Sequence, residues 1–154
     1  PTQFLMNVGF VAFGVCVPLY ALALRRALSG WAWASAATTG VATLAVAAFP
    51  LGYSDSIDGW HNASAGIGYL SLALTPLLAF PELRPDRPRL AWFGIACGCL
   101  SIVCLVLSVW VEGPNGLFQR LGLTATDAWI VASVPFVRAR LAGNVPGSTP
   151  TGSP

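Results

Sequence analysis

Apolar residues fall in five long runs, at 4–24, 31–51, 60–80, 90–111 and 117–137, with neither the two-residue alternation of strands nor the single apolar stripe of surface helices. Each run is about 21 residues, or about 30 Å as a helix, which matches the hydrocarbon thickness of a bilayer. The breaks carry turn chemistry: Arg25 and Arg26 with Ser29-Gly30, then 52–59, then 81–89, then Glu112-Gly113-Pro114-Asn115-Gly116. Because every connector is short, neighbouring helices run antiparallel. The pattern predicts an all-α polytopic membrane bundle with five transmembrane helices in one domain over residues 1–140. Beyond it, 141–154 turns to Gly, Pro, Ser and Thr and reads as a flexible polar tail.

Composition agrees with this pattern, since 55% of residues are hydrophobic and 9% charged, against about 25% charged in a soluble domain. The net charge is +2 and every cation is an arginine at a segment end. No basic face exists for a polyanion, which excludes nucleic acid and leaves the lipid bilayer, and possible membrane-protein subunits, as partners. Arginine placement also sets orientation, because cytoplasmic loops accumulate Lys and Arg. With the first helix running inward, Arg25, Arg26, Arg84, Arg87, Arg89, Arg138 and Arg140 lie inside and only Arg120 outside. The expected topology therefore has the N-terminus of this chain outside and the C-terminus in the cytoplasm. A chain that starts outside at Pro1 without a leader implies a sixth helix upstream.

Packing signals follow the same logic. Gly94 and Gly98 form a small-xxx-small face, and Ala63, Ala65 and Gly66 allow close approach of the third helix, both read as contacts within the bundle. Pro18, Pro76 and Pro135 lie inside helices, while Trp31, Trp33, Trp60, Trp92 and Trp110 gather at segment ends as an interfacial belt. Cys16, Cys97, Cys99 and Cys104 all sit in apolar runs and read as small apolar residues; no CxxC spacing supports redox chemistry.

Polar groups inside apolar runs are the candidates for chemistry, because a charge at a helix centre costs about 2.5–3.5 kcal/mol on insertion. Asp127 lies near the middle of the fifth run, and Arg120 is seven residues earlier on the same face, about 10 Å toward the outside. Gln119, Thr124 and Thr126 add hydrogen-bonding capacity. His61, beside Asn62 and after Asp55 and Asp58, opens the third run at the outer end, at the depth of Asn7, Gln119 and Arg120. His61, Arg120 and Asp127 are the catalytic candidates. Asn7, His61, Gln119 and Arg120 are the binding candidates for an outward-facing polar pocket; the bland alternative has His61 and Arg120 merely tying helix ends to loops. One histidine is too few for a bis-histidine haem or a membrane zinc site, so no cofactor or metal is expected. A hydrolase built on His61 with Ser54, Ser56 or Ser64 lacks a nucleophile elbow.

Phe49-Pro50 closing one helix, His61 opening the next, and Gly116-Leu117-Phe118-Gln119-Arg120 leading into a last helix with Trp129 resemble a bacterial and archaeal membrane family. It is catalogued as domain of unknown function nine-nine-eight. The resemblance covers most of 7–140 and implies a six-helix bundle in a bacterial plasma membrane, with Asn7, His61, Gln119 and Arg120 as family-like polar positions. Asp127 matches no feature of that pattern.

These residues favour a non-catalytic integral membrane protein, an accessory subunit or a lipid-contacting protein, whose outer polar cluster holds helices or a lipid in place. The competing expectation is a small membrane enzyme or transporter with an outward pocket around His61 and Arg120.

Overall fold

The computed structural model describes residues 2–111 and 115–143. Among them the chain is all-helical: α1 (Thr2–Ala27), α2 (Ala32–Ala48), α3 (Asp55–Leu83), α4 (Pro88–Trp110) and α5 (Asn115–Gly143). Most of the Glu112–Gly116 connector and the tail from residue 144 lie outside the described residues; residues 141–143 continue α5.

Helix limits follow local chemistry. Ser54 caps α3 by accepting a hydrogen bond from the Ile57 amide, with Asp55 and Asp58 in the first turn. Asp58 also accepts from the Gly52 amide at 2.8 Å, and Gly52 takes the positive φ of 88° that this turn needs. α2 ends at Phe49 because a residue before proline is driven out of the helical region, so its helix is 17 residues rather than the expected 21 or so. At about 26 Å it falls short of the hydrocarbon thickness. α1, α3 and α4 are long and apolar enough to cross a membrane, whereas α5 carries Arg120 and Asp127 inside its apolar run and is less hydrophobic.

Consecutive helices pack side by side, and α5 returns to touch α3 and α1, which rounds the row into a bundle. The small residues of α4 serve this packing: Gly94 faces Trp129 and Pro76, and Gly98 faces Leu77 and the Ala73 carbonyl. Trp129 is fully buried and donates its indole N–H to the Leu90 carbonyl at 3.2 Å. By contrast Trp31, Trp60, Trp92 and Trp110 are exposed near helix ends, where an interface would receive them.

Most polar ties lie at the arginine-rich end. Glu82 accepts from the Ser29 amide at 2.7 Å, the Ser29 hydroxyl at 2.8 Å and the Gly30 amide at 2.5 Å, so the end of α3 grips the α1–α2 connector. Arg140 pairs with Asp86, and the Arg25 guanidinium stands over the Trp33 ring at 4.8 Å. Ser133 donates to the Ile130 carbonyl, so the 2.7 Å contact between its oxygen and Tyr20 is donated by the tyrosine. That bond fastens α1 to α5 toward the arginine-rich end. Toward the other end a cavity lies between the two helices.

Candidate functional site

The cavity between α1 and α5 has a volume of about 560 Å³ and lies at the end opposite the arginine cluster. It is bounded by the first half of α1, the second half of α2 and the first halves of α3 and α5. Three helical faces follow from spacing. Met6, Gly9, Phe10 and Phe13 form the apolar wall from α1; His61, Ser64, Gly68 and Leu72 run down α3; Gly116, Gln119, Arg120, Leu123 and Asp127 run down α5. α2 contributes Thr39, Thr43 and Val46.

His61, Gln119, Arg120 and Asp127 therefore share one cavity, while Asn7 is not among its lining residues. On a helix of about 100° per residue Asn7 points about 110° away from the face that Met6, Gly9, Phe10 and Phe13 present. Of the other polar residues near Asp127, Thr126 is buried with its hydroxyl turned to the Gly122 carbonyl, and Thr124 is exposed; neither lines the cavity.

His61 Nδ1 lies 2.7 Å from the Phe49 carbonyl oxygen, an acceptor only, so the ring donates from Nδ1. This satisfies a carbonyl at the end of α2, in front of Pro50, and ties α2 to α3. It also fixes the tautomer of a neutral ring, with the lone pair on Nε2. Phe49 and Trp60 stack beside it with centroids 6.4 Å apart. Asp55 and Asp58, which the sequence sets beside His61, instead organise the start of α3.

Three of the four hydroxyl protons at the cavity are committed, while the Ser64 hydroxyl makes no hydrogen bond among the described residues. Thr39 donates to the Ser35 carbonyl at 3.2 Å, Thr43 to the Thr39 carbonyl at 2.8 Å, and Tyr69 to the Gln119 carbonyl at 3.4 Å. Asp127 Oδ1 is buried and accepts no hydrogen bond among the described residues. The described residues hold no cluster of three or more His, Cys, Asp or Glu suited to a metal ion, and among them no Ser, Thr or Cys hydroxyl or thiol bonds to His61.

Tyr69, Thr39, Thr43 and Ser64 line the cavity although the sequence reading did not select them for it as a group. Ser64 and Gly68 stand three and seven residues after His61, and that spacing alone marks a shared face. The α2 threonines carry no such signal, because their role depends on how α2 packs.

A membrane-type helical bundle with one amphiphilic cavity near one end is the class that fold and site define. The family model for a protein of unknown function (DUF998) matches residues 1–134, and the chain belongs to that family. Comparison with curated proteins and with solved structures finds no match.

Proposed function

We propose that this is a non-catalytic integral membrane protein of the bacterial plasma membrane whose cavity holds a phosphate-bearing amphiphile, with the cavity end facing outward. The observation that carries this reading is the division of the cavity wall. α1 offers Met6, Phe10 and Phe13, while α3 and α5 offer His61, Gln119 and Arg120 at the rim. A guanidinium is suited to a phosphate, which it meets with paired N–H donors, and an apolar wall is suited to an acyl or isoprenoid chain. The volume lies within the range of about 300–1,000 Å³ typical of small-molecule sites. Binding rather than turnover is supported by the ring geometry of His61, whose Nδ1 serves a helix end and whose neighbours include no hydrogen-bonded nucleophile among the described residues.

Retention of the amphiphile as part of a larger membrane assembly fits the same surface, since the exposed apolar faces of α1 and α4 are free for lipid or other helices. The test is purification in mild detergent followed by mass spectrometry of retained lipid. A stoichiometric phosphate-bearing lipid that Arg120→Ala releases is expected. A lipid-free monomer, or retention unaffected by Arg120→Ala, overturns the reading.

A further inference from the structure

Arg120 accounts for an anionic group at the rim, but not for Asp127. Asp127 sits about 18 Å into α5 from Asn115, two turns deeper than Arg120 on the same cavity wall. A carboxylate placed there is costly without a partner, and no side chain among the described residues bonds its Oδ1. Thr39, Thr43 and Tyr69 have each directed their single proton to a backbone carbonyl. Arg120, Gln119 and His61 stand at the rim, Ser64 lies one turn below His61 without a bond to Asp127, and the adjoining lining on α1 and α3 is otherwise largely apolar. Asp127 Oδ1 is left buried and without a donor.

Resting on the proposed binding role of this cavity, we infer that its ligand is dipolar, with a phosphate at Arg120 and an ammonium at Asp127. An ammonium brings three N–H donors and a positive charge. Spacing narrows the chemistry further. Seven residues separate the two positions by about 10 Å along the helix. With both side chains turned toward a shared ligand and a charge-assisted contact at each end, the ligand's own charges lie closer together than that. The phosphate ester of a short amino alcohol, as in a phosphatidylethanolamine head group or free phosphoethanolamine, carries both charges within such a distance. The apolar wall of α1 then follows the chains of the lipid form.

The test compares the purified full chain, in detergent and in nanodiscs, for binding of phosphatidylethanolamine and phosphatidylglycerol, with soluble phosphoethanolamine as competitor. The expected result is a preference of about tenfold or more for phosphatidylethanolamine. Asp127→Asn, which keeps the shape of the side chain, abolishes the preference while phosphatidylglycerol binding persists. Displacement by phosphoethanolamine at matching concentration also supports the inference and assigns the ligand to the free solute; failure to displace assigns it to the lipid. Equal binding of the two lipids by the wild-type chain overturns the inference whatever the variant's folding, and leaves the proposed cavity role standing. A preference unchanged in folded Asp127→Asn overturns it too. Binding of neither lipid overturns the proposed function itself.

Discussion

Replacing Gly94 by alanine tests how α3, α4 and α5 lock together. A Cβ at this position would stand 2.6 Å from Trp129 Nε1, 3.1 Å from Trp129 Cδ1 and 3.1 Å from Pro76 Cβ. The indole cannot swing aside freely, because it is fully buried and its N–H is bonded to the Leu90 carbonyl. Overpacking of a fixed core costs about 1–3 kcal/mol, and the geometry puts Gly94→Ala in the upper half of that range. Trp129→Leu should cost about 3 kcal/mol, near the low end for emptying an aromatic site, because lipid already solvates apolar surface and the loss is mainly packing and one hydrogen bond. In the double variant the added methyl occupies part of the space the indole vacates, so the combined loss should fall short of additive by at least about 1 kcal/mol. Thermal unfolding in detergent, followed by circular dichroism, reads this as shifts of about 2–4 °C per kcal/mol for a chain of this size. Additivity within about 0.5 kcal/mol, or a neutral Gly94→Ala, would refute the packing argument.

Gly122→Ala places a Cβ into the Tyr69 hydroxyl and 2.9 Å from the Cys104 Cβ, so a loss of about 1–3 kcal/mol is expected in the same assay; stability at wild-type level contradicts the close α3–α5 approach. Tyr20→Phe removes the bond to Ser133 and should cost about 1 kcal/mol, with faster deuterium uptake along the α1–α5 seam. Unchanged exchange there counts against the seam. Glu82→Ala frees three donors on Ser29 and Gly30, and proteolytic cleavage of the α1–α2 connector should rise several-fold, whereas an Arg140→Ala change at the exposed pair with Asp86 should leave stability within about 1 kcal/mol.

The bundle was legible because membrane helices announce themselves by length and apolarity, and because Gly94, Gly98 and the internal prolines carry packing information directly. α2 came out short since Phe49 obeys the proline at position 50 and not the hydropathy of 49–51. α3 overran its apolar run at both ends, because the Ser54 cap starts it early and the Phe80 carbonyl continues to bond past Pro81. Seven-residue spacing sets Arg120 and Asp127 on one face, and both line the cavity. Depth and the resemblance both suggested Asn7, but neither fixes rotation around α1, and its neighbours Met6, Phe10 and Phe13 hold the cavity wall. The tie between His61 and the Phe49 carbonyl was not readable, since it depends on where the chain turns between two helices. The resemblance had joined the same two residues as a motif, and the structure supplies a physical reason: one satisfies the orphan carbonyl left by the other.

The most direct measurement of the central claim is native mass spectrometry of the detergent-purified chain beside its Arg120→Ala and His61→Ala variants. The cavity account predicts one bound phosphate-bearing lipid per wild-type chain, lost with Arg120→Ala and weakened with His61→Ala while both variants keep wild-type helicity. A wild-type chain that carries no lipid, or variants that keep it in full, would contradict the account.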